Sequence, residues 1–232
     1  FHTTASAALE LGIVPIFADI EQNTLCINPD EIENKITQSV KAVVIVHLGS
    51  IMANLEKIAN ICKKNNLVLI EDCAHAHGAM WKDSGAGTYG DFGCYSFQSS
   101  KVISSGEGGF IITKTLKDLN KCISYINCGR ESQPFSSLAL NHRLTDIQCA
   151  LLLESLKKFK KYSKKRNENI KYFTQSLSKI PEIEILVPYL QQSRFSGYAY
   201  GFRLSKNILK KINKEDFEKD LLIRGVNCNE HL

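Results

Sequence analysis

The chain has 232 residues, 44% hydrophobic and 23% charged, which suits a soluble globular protein with one sizeable core or one domain plus part of another. No apolar run approaches the ~20 residues that cross a bilayer, so no membrane partner is expected. The net charge of +5 owes much to Lys157–Arg166, and no aromatic stacking platform or groove-reading motif accompanies that run, so it reads as the wet face of a long helix rather than a nucleic-acid stripe.

In chain order, Phe1 to Gly12 reads as a helix stopped by glycine, and Ile13 to Ile20 as a strand. Asn28-Pro29-Asp30-Glu31 marks a turn and the start of a helix that runs to about Ile36. Lys41 to Leu48 is a nearly continuous apolar strand of the kind buried on both faces. His47 lies near its mouth, with a structural role and a ligand role equally open. Leu55 to Lys64 is a helix with Leu55, Ile58, Ala59 and Cys62 on one face. Leu67 to Ile70 is a buried strand that ends in Glu71 and Asp72. This β-α-β-α-β order predicts a mostly parallel sheet with right-handed crossovers. Asp72 then sits at a strand mouth, where α/β folds bind ligands.

A short strand around Cys94 to Phe97 leads to Gln98, Ser99, Ser100 and Lys101. Ser104-Ser105-Gly106-Glu107-Gly108-Gly109 follows, and then a strand from Phe110 to Thr113. The stretch thus offers a carboxylate at one strand mouth and hydroxyls and a lysine after another. Its glycines let backbone approach a ligand closely. Pyridoxal 5'-phosphate (PLP) needs such a set: an amine for its aldehyde, an acid for its ring nitrogen, and donors for its phosphate.

A nucleotide-binding α/β fold would show the same alternation. Gly85-Ala86-Gly87-Thr88-Tyr89-Gly90 has the nominal G-x-G-x-x-G spacing, but Trp81-Lys82-Asp83-Ser84 before it reads as a turn, not a strand. The spacing is taken as coincidence. The eight cysteines are scattered with no C-x-x-C, which favours free thiols in a reducing cytoplasm. A zinc site from Cys73, His75 and His77 lacks a paired ligand cluster elsewhere, so no metal is expected.

Further on, Leu116 to Tyr125 is a short helix and Asn127 to Asn141 a polar loop. Thr145 and Gln148 form a capping box. It opens a long helix whose apolar stripe is Leu144, Ile147, Leu151, Leu152, Leu156 and Phe159. Strands near Ile183–Val187 and Tyr198–Leu204 and a helix near Lys214–Ile223 complete the reading.

EDCAHAHGA, GDFGCYSFQSSK and GEGGFIIT, with N-x-R-L-T-x-x-Q at Asn141–Gln148, resemble the DegT/StrS family of PLP-dependent sugar aminotransferases. The resemblance implies a fold type I α/β protein, a mostly parallel sheet flanked by helices, with part of a small α+β domain. It divides the chain into a large PLP-binding domain over 1–143, a linking helix over 144–180 and a small domain over 181–232. Lys101 would bond the cofactor's aldehyde, and Asp72 would pair with the ring nitrogen. His75 would pack near the ring and its 3-hydroxyl, and Ser96 would bind phosphate. Phe1 would stack on the ring, although an aromatic at a helix start serves equally well as a core anchor. Asn141 would reach the partner subunit's phosphate in a homodimer with a shared site. Gly49-Ser50-Ile51-Met52-Ala53-Asn54 departs from the Tyr-Gly turn usual there.

The implied activity moves an amino group from glutamate or glutamine to a keto-sugar or ketocyclitol. A branch of the family that dehydrates sugars carries histidine in place of Lys101. Family members carry segments before Phe1 and after Leu232, so the chain is expected to be a fragment. A catalytically inactive remnant or a regulatory protein of the same fold is the alternative, and a nicotinamide-binding enzyme the weaker third.

Overall fold

The computed structural model describes residues 1–130 and 138–228. Part of the expected Asn127–Asn141 loop, and His231 and Leu232, therefore lie outside the described residues.

The chain opens with α1 (Thr3–Leu9), and Gly12 takes φ +70° just beyond it. The strand expected over 13–20 does not form a ladder. Among the described residues its one bridge joins Ile20 to Ile27, and Val14 and Phe17 stand exposed. Its composition favours an extended chain, but a strand needs a neighbour for its N–H and C=O groups. α2 (Pro29–Lys35) starts where expected: the Asn28 side chain accepts from Asp30 N–H, and Pro29 sits where no N–H is needed. β1 (Ala42–Val46), α3 (Leu55–Lys64) and β2 (Val68–Asp72) follow. α3 buries Leu55, Ile58, Ile61 and Cys62 on one face.

A two-residue hairpin, β3 (Met80–Trp81) and β4 (Ser84–Gly85), precedes β5 (Phe92–Ser96) and β6 (Gly109–Thr113). The main sheet has the order β1-β2-β5-β6. β1, β2 and β5 run parallel, and β6 is antiparallel to β5. Asp72 is the last residue of β2 and is flanked in register by Val46 and Cys94. β1 departs from its expectation: Val43 and Ile45 are buried, while Val44 faces outward and is exposed. The apolar run is continuous, yet in the described structure only one of its faces is covered.

α4 (Leu116–Ile126) leads towards the long α5 (Asp146–Leu177). The Thr145–Gln148 capping box is formed in both directions. The apolar stripe of α5 is split. Leu152 is buried with Phe97 and Ile103, and Leu144 and Phe159 pack against them. Ile147, Leu151 and Leu156 are exposed. The helix touches the body along a narrow line, so half of its apolar residues find no partner there.

β7 (Ile183–Ile185), β8 (Gln192–Arg194), β9 (Phe202–Leu204), α6 (Lys206–Leu209) and α7 (Lys214–Ile223) end the chain. β7 pairs with β9, while β8 returns to pair antiparallel with β3. That return brings the segment after α5 onto the loops at the C-terminal ends of β1 and β2. Among the described residues no helix is long and apolar enough to cross a membrane.

Candidate active site

The site grows from the end of β2, where Glu71 points inward and Asp72 outward because strand side chains alternate. Glu71 is fully buried. His47 Nε2 lies 2.9 Å from its Oε2, and Ala53 N–H donates to His47 Nδ1 at 3.2 Å. The imidazole therefore carries its proton on Nε2 and gives it to the carboxylate. Gly87, Tyr89 and Gly90 N–H donate to the same carboxylate at 2.8, 2.8 and 2.6 Å. Burial works against the charge, but the His47 and backbone hydrogen bonds outweigh it and hold Glu71 below the usual carboxylate range. The G-A-G-T-Y-G segment is thus a cradle for the protein's own glutamate. Lys82-Asp83 before it is the turn of the β3–β4 hairpin, whose second strand takes in Gly85, and Gly93 packs so closely on Gly87 that a side chain at Gly93 would strike its backbone.

Asp72 is half-buried at the surface of this base. Its Oδ1 accepts from Ala74 N–H at 3.0 Å and its Oδ2 from Thr4 Oγ1 at 2.7 Å. The second bond pins α1 to the strand mouth. Phe1, one turn earlier, is exposed, and its ring lies against His2.

His75 sits three residues beyond Asp72. Its Nδ1 accepts from Gly49 N–H at 3.3 Å, and its ring stacks on Tyr198 with centroids 4.0 Å apart. Gly49 has φ +65°, a conformation that suits glycine at this turn. Lys101 Nζ stands over the other side of the site, 4.7 Å from the Tyr198 centroid. His75 and Lys101 are thus joined through Tyr198, and Asp72 ends the parallel strand next to the one that leads to Lys101.

Ser96 ends β5, two residues beyond the Cys94 that pairs with Asp72. Its hydroxyl accepts from Gln98 N–H at 3.2 Å, and the turn is extended by Ser100 N–H donating to Gln98 Oε1 at 2.8 Å. Lys101 N–H donates to Gln98 O at 2.9 Å, which closes the turn that carries the lysine. Gly108 and Gly109 of the next loop serve packing. Gly108 has φ +133°, and a Cβ there would stand 2.5 Å from Leu144; a Cβ at Gly109 would stand 2.5 Å from Tyr95 O.

His77, on the far side of the strand end, is buried against Tyr95 and Phe97. Burial, and less strongly the charge of Lys101, push it down to about 4, while a backbone group of Ser96 acts the other way. Cys73 is also buried, and its thiol is pushed far up by burial and by the neighbouring Glu71 and Asp72. Cys73 lies with His47 and Glu71, not with His75 and His77, and that trio is one within which Glu71 is already held by four donors. Asn141 is exposed, and its backbone bridges Asn127 at the edge of the polar loop.

Thr4, Gly49 and Tyr198 were not among the residues that the sequence singled out. Tyr198 had one available signal, an aromatic just before a strand at a Ser-Gly turn. Thr4, on α1, and Gly49, in the loop after β1, have none, because only the tertiary fold brings their segments to the strand end.

A mainly parallel sheet flanked by helices, with a carboxylate, an imidazole and a lysine beyond the C-terminal ends of its strands, is the α/β architecture of the fold type I transferase class. The chain belongs to the DegT/DnrJ/EryC1/StrS aminotransferase family, whose family model matches residues 1–231. It is 34% identical over 228 residues to a Micromonospora echinospora protein provisionally named L-glutamine:3-amino-2,3-dideoxy-scyllo-inosose aminotransferase. That match covers 96% of this chain and 54% of the relative. An L-glutamine:2-deoxy-scyllo-inosose aminotransferase of Streptomyces kanamyceticus is 35% identical over 179 residues, 72% of this chain and 42% of that one. The chain thus spans about half the length of the curated relatives it matches. Among solved structures, an aminotransferase from Psychrobacter cryohalolentis matches with TM-score 0.92 and 26% identity, over 99% of this chain and 64% of that one. Helicobacter pylori PseC, an aminotransferase involved in pseudoaminic acid biosynthesis, matches with TM-score 0.87 and 28% identity, over 97% and 61%.

Proposed function

We propose that the full-length protein is a PLP-dependent aminotransferase that moves an amino group from glutamine or glutamate to a ketocyclitol or a nucleotide-linked keto-sugar. The observation that carries this reading is that Asp72 and His75 lie at the C-terminal end of β2 and Lys101 follows that of the adjacent parallel β5, with His75 and Lys101 meeting at Tyr198. The family is PLP-dependent in general. The names of the relatives favour glutamine as donor and a ketocyclitol as acceptor.

The residues present fit the cofactor. A half-buried carboxylate, an exposed-side lysine and a hydroxyl on the intervening strand match the ring nitrogen, the aldehyde and the phosphate. When bound, pyridoxal phosphate supplies an electron sink for the carbon that loses its proton. Asp72 keeps the ring nitrogen protonated, so that negative charge has somewhere to go. Lys101 Nζ holds the aldehyde and, once free, carries the proton taken from the amino donor. His75 would pack near the ring and its 3-hydroxyl. The Ser96 hydroxyl would hold phosphate. Phe1 covers the ring face, and Asn141 crosses to the partner's phosphate in a homodimer.

In this reading residues 1–143 form the PLP-binding domain, 144–180 the linking helix and 181–232 the small domain. All eight cysteines are free, which suits the reducing cytoplasm.

The test uses the full-length protein with added PLP. A visible absorbance band that borohydride removes, with the reduced adduct mapped to Lys101, is the expected result. Glutamine should bleach that band, and a 2-deoxy-scyllo-inosose or a nucleotide-linked keto-sugar should restore it. A full-length protein with no band and no adduct at Lys101 overturns the proposal.

A further inference from the structure

Tyr198 joins parts of the site to which the family pattern gives it no role. One aromatic face lies almost parallel to His75, at 14° and 4.0 Å between centroids. Lys101 Nζ stands 4.7 Å from the same ring's centroid. The Tyr198 hydroxyl is 3.4 Å from Ser100 Oγ, on the turn that carries the lysine.

The segment that delivers this ring is firmly held. Ser196 is fully buried, and its hydroxyl donates to His75 O at 2.6 Å and accepts from Tyr198 N–H at 3.3 Å. Ser50, in the loop that departs from the family pattern, donates to Ala199 O at 2.7 Å. From α5, the Asn167 side chain accepts from Phe195 N–H at 3.0 Å and donates to Phe195 O at 2.9 Å. Tyr198 is therefore clamped on both sides before it meets the lysine.

We propose that Tyr198 is a positioning residue that gives the free amine of Lys101 a resting place beside the strand end. The inference rests on the reading of Lys101 as the residue that bonds the cofactor. In that role the amine must be released during part of every cycle and recaptured in the rest. A lysine on four flexible carbons explores many rotamers when released. An ammonium is attracted to an aromatic face, and at a partly exposed site the preference amounts to about two- to five-fold. The ring thus biases Lys101 towards conformations close to His75. Because the same ring stacks on His75, the docking of residues 192–199 sets both side chains together.

The test is made on the cofactor-free full-length protein, so it reads the Tyr198–Lys101 pair whether or not the cofactor proposal holds. Lysine labelled with carbon-13 at Cε gives one signal per residue, and Lys101→Arg identifies that of Lys101. A ring-current displacement of this signal to high field is expected; a position among the exposed lysines overturns the proposal. Competitive acetylation, mapped by mass spectrometry against Lys57 and Lys114 as internal references, supplies the second measurement. Tyr198→Leu should raise labelling of Lys101 about two- to five-fold, and Tyr198→Phe should leave it unchanged. Equal labelling in the wild type and a folded Tyr198→Leu variant overturns the proposal. Where that variant does not fold, the wild-type spectrum decides.

Discussion

Glu71 and His47, 24 residues apart in sequence, meet at 2.9 Å in the interior, and neither is accessible to solvent. A buried carboxylate is expensive unless every lone pair is used. Here one imidazole N–H and three backbone N–H groups use them. The pair ties the mouth of β1 to the mouth of β2 and fastens the loop over 87–90 beneath them. Asp72 is the next residue, so its outward position depends on Glu71 being locked inward.

Glu71→Gln should therefore be severely destabilising. The amide turns an NH₂ towards donors that need an acceptor, so buried N–H groups lose their partner. A loss of about 3–5 kcal/mol is expected in denaturant unfolding. His47→Ala leaves the three backbone donors in place and should cost less, about 2 kcal/mol. Equal effects from the two substitutions would contradict this division of labour.

Much of this fold is legible in the residues because its elements carry strong local signals. α3 and α7 begin at Leu55 and Lys214, where an asparagine cap precedes each, and both caps are made. The positions of Asp72 at a strand end and of Lys101 after a Ser-rich turn are legible because both occur inside specific motifs. Strands of two and three residues, such as β3 and β8, are too short to show a period, so the ribbon they form was not foreseen. Nor is the role of Glu71 legible, whose partners come from two separate segments, the end of β1 and the loop over 87–90. Thr4 and Tyr198 reach the site only because distant segments fold back. The G-x-G-x-x-G spacing illustrates the converse: the backbone does cradle an anion, but the anion is a side chain of the protein.

His77 predicts a particular acid sensitivity. It is buried, and its folded-state value lies at about 4 against an ordinary 6.5. The unfolded chain binds this proton as pH falls below 6.5, while the folded chain resists until about 4. Stability contributed by neutral His77 is thus complete above that window and is lost through it, by about 3 kcal/mol. Glu71, held below its ordinary 4.5, extends the loss to still lower pH. Unfolding free energy measured from pH 7 to pH 4 should fall in the wild type and much less steeply in His77→Leu. Parallel profiles would exclude His77 as the source.

Thr4 tests the link between α1 and the site. The helix buries none of its residues, so the hydrogen bond from Thr4 to Asp72 is a main tether. Thr4→Val keeps the shape and removes the donor, which should cost about 1.5–3 kcal/mol locally because the acceptor is charged. Since α1 can detach while the sheet stays folded, the effect should show as faster amide exchange over Thr3–Leu9. Global unfolding should change little. Unchanged exchange in α1 would show that other contacts hold it.

Lys101 and Asp72 carry the chemical prediction, and their two substitutions should fail differently. On the proposed assignment Lys101→Ala removes both the amine that would anchor the cofactor and the group that would move the proton, so turnover by the full-length protein should fall to background. Asp72→Asn keeps the size of the side chain and its contacts with Ala74 and Thr4 within reach, but it removes the negative charge. Without that charge the ring nitrogen is no longer held protonated while charge develops. A fall of about 10²–10³ in kcat is expected from losing one such electrostatic partner. Each tenfold corresponds to about 1.4 kcal/mol of lost transition-state stabilisation. Single-turnover kinetics with glutamine separates the cases. Asp72→Asn should still form the borohydride-trapped adduct at Lys101 and then react slowly, whereas Lys101→Ala should form none. Near-normal turnover of Lys101→Ala would remove the lysine, and with it the aminotransferase assignment, from the site.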